Sequence, residues 1–351
     1  MEKLIINPYE NIDFTNYNTY KGNLHCHTTE SDGTAKPHEM VDEYYNLNFD
    51  ILAITDHDYY KDQTTWAGDK GWSFSELDAS YEDRDPDILN MLAVEGNELS
   101  SNHHRNSLFN DLGLGGSDIE NSFDEIVSRR GLGFFAHPSR YNETVAWYMS
   151  FYKPFYMLFA MEVFNDIGDI DVWDNILTEH MPLMPIIMGI TNDDAHGLSA
   201  VGTRSNTFFM KNFNKGSLIQ AMHRGEFYMT IHDDGNNPDK HDPITAPIIT
   251  DISVNGETIE ISGSNYTSVE WYSEGAQVAT GNTTSVSGID KYIRAKLIGN
   301  DGESYTQPFG IIEPHEGNIE LITNFYSKKE IIGETLIDKK RYQGPYPPIK
   351  P

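Results

Sequence analysis

The sequence predicts an α/β chain, a parallel sheet or barrel of strand-then-helix units followed by a small antiparallel β domain. Three observations carry this. Short, nearly continuous apolar runs alternate with helical stretches, as parallel strands buried on both faces require. His, Asp and Glu fall repeatedly just after those runs, where α/β barrels keep their active sites. From about residue 247 the texture changes to short alternating runs punctuated by Asn-Gly, Ser-Gly and Asp-Gly, as in a small Ig-like sandwich. The 351 residues suit one large domain and one small one. We divide them into a lead-in (1–20), the α/β unit (21–245), the β domain (246–313) and a strap or tail (314–351).

The elements follow in order. A first strand over 22–28 carries Leu24-His25-Cys26-His27 and runs into Ser31-Asp32-Gly33, a turn sequence. A helix starts at Pro37, suited to a first helical turn, and buries Met40, Val41 and Tyr44. The apolar run 49–54 is a strand ending in Thr55-Asp56-His57-Asp58. Residues 60–87, with Trp66, Trp72, Phe74 and Tyr81 but no clean period, are an inserted loop that could cover the site as a lid. A strand over 88–94 leaves through Glu95–Leu99, and Asn102-His103-His104-Arg105-Asn106 precedes a short strand over 107–110. Ser122-Phe123-Asp124-Glu125 reads as a capping box. Strands over 132–136, 158–163 and 185–190 end in His137-Pro138-Ser139-Arg140, Asn165 and Asn192-Asp193-Asp194-Ala195-His196.

The totals limit the function. There are 54 acidic residues against 25 basic, a net charge of −29, which repels phosphate backbones and argues against extended nucleic-acid binding. A small phosphorylated partner stays compatible where a metal supplies local positive charge. One cysteine, Cys26, excludes a disulfide framework and a multi-cysteine metal knuckle; on strand alternation it points away from its flanking histidines and packs. No signal-like N-terminus and no apolar stretch of membrane length are visible, so a cytoplasmic location without a membrane partner is expected.

Two histidines one residue apart put both imidazoles on one strand face, and Asp32 follows five positions later. Collected along the chain, the groups after the strands are His25, His27, Asp32, His57, Glu98, His104, His137, Asp194 and His196. Nine imidazoles and carboxylates converging on one face are costly to bury unpaired. Divalent metals solve that problem, and nine ligands exceed one tetrahedral ion; two to three ions with a bridging carboxylate fit. The ligand mix suits Zn, Mn or Fe. Arg140 could clamp phosphoryl oxygens, and Asp194 or His196 could protonate a leaving alkoxide.

The pieces HCHTTESDG, ITDHD, EGNELSS followed by HRN, FFAHP and NDDAH resemble, in order, the motifs of the PHP (polymerase and histidinol phosphatase) family over roughly residues 20–235. The resemblance implies a distorted (βα)7 barrel with a trinuclear metal centre at its C-terminal strand ends. On that pattern His25 and His27 would share one metal with Glu98 and Asp194. Glu98 would bridge to a second metal held by His104 and His137, and Asp32, His57 and His196 would hold the third. His103 and His104 compete for one role, and His104 is preferred for its H-x-N spacing. The activity implied is hydrolysis of a small phosphomonoester or a short or terminal phosphodiester by metal-activated water. Two alternatives stand beside it: an amidohydrolase-type C–N hydrolase, disfavoured because the strand-end motifs lack a bridging Lys, and a metal-stabilised protein that binds through its β domain.

Overall fold

In the computed structural model, residues 2–58, 72–75, 77–113, 116, 118–155, 157–166, 168–182, 186–232 and 245–313 are described. Most of the inserted loop's first half (59–71) and the tail (314–351) lie outside them, so neither the lid nor the strap is addressed. The first part of the chain runs β1 (Leu4–Ile6), β2 (Asn18–Asn23), α1 (Pro37–Asn46), β3 (Ile51–Ala53), α2 (Pro86–Leu89), β4 (Leu92–Val94), β5 (Gly96–Leu99) and β6 (Arg105–Leu108). It continues through α3 (Ile119–Ser128), β7 (Leu132–Phe135), α4 (Val145–Tyr152), β8 (Leu158–Glu162), α5 (Asp169–His180), β9 (Met188–Ile190), β10 (Arg204–Met210), α6 (Lys215–Arg224) and β11 (Phe227–His232). Eight further strands follow: β12 (Ile248–Asn255), β13 (Thr258–Ser264), β14 (Ser268–Ser273), β15 (Ala276–Thr280), β16 (Thr283–Ser285), β17 (Tyr292–Ile298), β18 (Gly302–Tyr305) and β19 (Phe309–Ile312).

Pro37 opens α1, which buries Met40, Val41 and Tyr44 over Cys26, Leu52 and Ile54. The capping box at Ser122 does not form. α3 starts four residues earlier, because Asp118 is the N-cap and accepts the N–H groups of Glu120 and Asn121. The predicted strand over 88–94 is shorter at its start, since Pro86 nucleates the one-turn α2.

The strands form three sheets. One has the order β5-β6-β7-β8-β9, antiparallel through β7 and parallel from β7 to β9. The largest runs β1-β19-β17-β18-β11-β10-β2-β3-β4, with β14 joined to β17 and β15 to β14, and the third is β12-β13-β16. The expected distorted (βα)7 barrel is not confirmed: the described residues form no closed barrel. The ladder opens on both sides of the site, and only isolated parallel bridges cross the gaps, Cys26 to Ala195 and His57 to Glu98.

Side-chain amides replace the missing ladder along β9. Gln307 accepts the N–H of Gly189 at 2.9 Å and donates to its carbonyl at 2.8 Å. Asn206 does the same for Thr191, at 3.0 and 2.6 Å, and Asn23 accepts the N–H of Asp193 at 2.8 Å. The peptide groups are satisfied, so no strand is needed there. The C-terminal strands join the same structure. β18 pairs with β11, and Arg294 on β17 forks onto Asp174 of α5 at 2.6 and 3.0 Å. Their core, around Ile259, Trp271 and Phe309, is continuous with Tyr9, Phe209 and Tyr228.

Candidate metal centre

Beyond the ends of β2, β3, β7 and β9, and from Glu98 within β5, polar residues are delivered to one place. The His25–His27 segment leaves β2 and lies along the Asp194–Ala195 segment, with Asp194 N–H on the His25 carbonyl (3.0 Å) and His27 N–H on the Ala195 carbonyl (2.9 Å). Asp56 acts on the turn after the strand predicted over 22–28. It accepts the Thr28 N–H and the Thr28 and Ser31 hydroxyls, each at 2.7 Å, and so shapes the turn that presents Asp32. Gly33 closes that turn where a Cβ would lie 2.7 Å from the His27 carbonyl. Asp58 acts on His57 at one remove: it accepts the Ser100 N–H, and Ser100 Oγ lies 2.5 Å from His57 Nδ1.

Glu98 is the centre of the arrangement. Its Oε1 lies 2.9 Å from His104 Nδ1, 3.0 Å from His137 Nε2 and 3.4 Å from His25 Nε2. Its Oε2 lies 3.0 Å from His57 Nδ1 and 3.4 Å from His27 Nε2. Asp194 Oδ1 faces His27 Nε2 at 3.0 Å and His25 Nε2 at 3.3 Å. Asp32 lies 3.4 Å from His57 Nε2 and 3.4 Å from His196 Nε2. All nine sequence candidates thus gather in one cluster. Three overlapping groups place ligand atoms within 4.8 Å of one another: His27, Asp32, His57 and His196; His25, His27 and Glu98; His57, Glu98 and His104.

Of the two neighbouring histidines, His104 enters the cluster and His103 turns away. His103 stacks on Tyr141 at 3.9 Å, faces the Tyr148 hydroxyl at 2.9 Å, and burial pushes its pKa down to about 3. Arg140 sits at the open rim, 44% exposed, paired with Asp166 and 3.4 Å from Asp194 Oδ2. Arg204 is occupied by the Phe164 and Asn165 carbonyls. His137 (φ 29°) and Asp194 (φ 46°) both hold left-handed backbone, which non-glycine residues avoid unless their surroundings impose it.

The donor set fits divalent metal ions. Glu98 and Asp194 are buried carboxylates, and Asp194 Oδ1 makes no hydrogen bond although it is buried. The Nε2 atoms of His25 and His27 face each other at 3.1 Å, a contact that can share one proton at most. Burial would push Glu98 up, but His25, His104 and His137 hold its carboxyl well below the usual range. Burial likewise opposes the charge on His25, while Asp194, Glu162 and Glu98 raise its pKa well above an ordinary histidine. A cluster that must charge its own rings to stay buried is one that cations complete.

Sequence reasoning missed Glu162, Asn192, Ser100 and Arg105. Glu162 is fully buried and contacts His25 Nδ1 at 2.9 Å. The signal for it was present: a lone acid inside Leu-Phe-Ala-Met-Glu-Val-Phe, a strand otherwise apolar on both faces, must have a partner. Arg105 is also fully buried, and gathers the carbonyls of Leu99, Ser101 and His103 just before His104.

No family model matches the chain. A two-domain protein from Bacteroides vulgatus ATCC 8482, containing a predicted PHP-like metal-dependent phosphoesterase, superposes with a TM-score of 0.52 at 14% identity, over 90% of this chain and 92% of that one. The chain shares that protein's fold. At that identity the overlay speaks to the PHP-like fold, which here includes the C-terminal strands. The lesion-specific endonuclease PfuEndoQ from Pyrococcus furiosus overlaps more weakly, with a TM-score of 0.37 at 14% identity over 59% of this chain and 56% of its own. Among curated proteins, a 5'-3' exoribonuclease of Haemophilus influenzae is 48% identical over 40 residues, 11% of this chain; the match spans only 15% of that enzyme's length.

Proposed function

We propose that this PHP-like protein is a metal-dependent phosphoesterase acting on a small phosphomonoester or a short or terminal phosphodiester. The convergence of five imidazoles and two carboxylates around Glu98 supports this reading most directly. We assign two to three divalent ions, of Zn, Mn or Fe type, to His25, His27, Asp32, His57, Glu98, His104, His137, Asp194 and His196. Such ions supply an activated water and neutralise charge on phosphoryl oxygens.

The chain's own groups divide the rest of the work. Arg140 has donors left beyond Asp166 and Asp194, and its exposed guanidinium can orient a phosphoryl oxygen at the rim. Asp194 cannot supply a proton near neutrality: burial opposes its charge, but His25 and His27 hold its carboxyl far below the usual range. His196 is 41% exposed, and its Nδ1–H donates to the Asp194 carbonyl at 2.9 Å. Its Nε2 faces Asp32 at 3.4 Å among the assigned ligands, so both of its ring nitrogens are committed, and the proton for a leaving alkoxide is left to water. The net charge of −29 disfavours an extended nucleic-acid substrate.

The test is elemental analysis of the purified chain, with hydrolysis of an aryl phosphate and its bis-aryl diester with and without chelator. Two to three metals per chain and chelator-sensitive turnover are expected, the better substrate separating monoesterase from diesterase. A chain that holds no metal after reconstitution would sink the reading.

A further inference from the structure

Glu162 closes β8 below the cluster, and four donors converge on it. Oε1 accepts from His25 Nδ1 and from the Asn192 amide, both at 2.9 Å. Oε2 accepts from the His137 backbone N–H and from the Asn165 amide, both at 3.0 Å. Each of the four leads to the centre. His25 is reached through its ring and His137 through its main chain. Asn165 also donates to Asp194 Oδ2 at 3.1 Å, and Asn192 Oδ1 accepts the N–H of Leu24, next to His25, at 2.8 Å.

We propose that Glu162 is the positioning residue of the metal centre, setting His25, His137 and Asp194 from beneath without touching substrate. The proposal rests on the metal-centre reading above. Its physical basis is the count of acceptor sites. A carboxylate presents about four lone pairs and no proton, so it can take all four donors. Because Glu162 only accepts, His25 must carry its proton on Nδ1. When a cation binds, Nε2 is then the nitrogen that gives up its proton and faces the cation beside Glu98 and Asp194, 3.4 and 3.3 Å away. A glutamine has the same shape but one acceptor oxygen; whichever way it turned, its NH2 would face two donors. Merely filling the space would suit Gln as well as Glu, and positioning requires Glu.

The experiment compares wild type with Glu162→Gln and Asn165→Ala in the full chain. It reads three quantities: Mn²⁺ and Zn²⁺ affinity by competition with a chelator, the urea midpoint, and the state of the His25 ring nitrogens by ¹⁵N NMR of Zn²⁺-loaded protein. Glu162→Gln is expected to weaken metal affinity by about 10- to 100-fold, the range typical of lost outer partners, and to shift the ring-nitrogen signals of His25. Asn165→Ala, which removes one donor of the four, is expected to weaken it several-fold and serves if Glu162→Gln does not fold. A lowered urea midpoint with metal affinity within about twofold of wild type in both variants would overturn the proposal, leaving Glu162 a structural acid. Wild-type protein that binds neither ion would instead overturn the metal-centre reading on which the proposal rests.

Discussion

Replacing Gln307 by Leu tests whether the C-terminal strands are part of the scaffold that carries the histidine cluster. Gln307 lies between β18 and β19 and is fully buried, yet both its amide atoms are spent on Gly189 in β9, 118 residues away. Leucine keeps most of the volume but leaves the Gly189 N–H and carbonyl unpaired in a dry interior. Each orphaned group costs about 1–3 kcal/mol, so about 2–6 kcal/mol in all. Nothing can move in to compensate, because Gly189 is hemmed by Met229 and Trp173, which a Cβ there would meet at 2.9–3.0 Å. Since β9 leads to Asp194, metal occupancy should fall together with stability. The assay is urea unfolding followed on the full chain, with metal content measured on the same samples. An unchanged midpoint would refute the idea that this side chain stands in for a strand.

Other predictions are more local. His25→Ala and Asp194→Ala should each remove metal and activity together while circular dichroism shows a folded chain; full metal with full turnover in either would refute their assignment. Arg140→Ala should retain metal but lose about 10- to 150-fold in kcat/KM on an aryl phosphate, the equivalent of one charge-assisted hydrogen bond of about 1.5–3 kcal/mol; steady-state kinetics with unchanged kcat/KM would remove it from the site. His232 is buried, and burial first, then Lys21, depresses its pKa to about 3. As pH falls below about 6.5, the unfolded chain therefore takes up a proton that the folded one refuses. Stability should drop by about 1.4 kcal/mol per pH unit on account of this group, down to about pH 3. Urea midpoints between pH 7 and 5 should fall less steeply in His232→Gln than in wild type, and parallel lines would contradict the assignment.

Much of the site was legible because metal-ligand chemistry leaves its mark in residue type and spacing. A His-x-His on a strand, a His between two acids after an apolar run, and Asp194-Ala195-His196 can be read without coordinates. What holds those residues could not be read the same way. Glu162 sits inside an apolar strand and Gln307 far along the chain, and each matters only through partners distant in sequence. How far the barrel closes could not be read for a related reason. Hydrophobic runs report that strands are buried, but not whether a neighbour's main chain or a side-chain amide meets their edges.

That substitution bears on how the centre can exist at all. A closed parallel ladder would carry β2 and β9 side by side past the site, with every peptide group committed to its neighbour. In this protein the commitment ends at Asn23 and Ile190. Beyond them, Asn23, Asn192 and Asn206 satisfy part of the main chain through side chains, and two main-chain bonds, Asp194 N–H to His25 and His27 N–H to Ala195, tie the segments together further on. The segments 24–27 and 191–196 are thereby released to bend, and a left-handed Asp194 turns its carboxylate back toward the two histidines. Amides suit this task because each offers a donor and an acceptor while adding no charge beside a cluster already rich in carboxylates. On this argument Asn206→Asp, which keeps the size but loses the donor to the Thr191 carbonyl and adds a buried negative charge, should be more damaging than Asn206→Ala. The order of their urea midpoints decides the point: equal loss in the two would mean that the amide serves geometry alone.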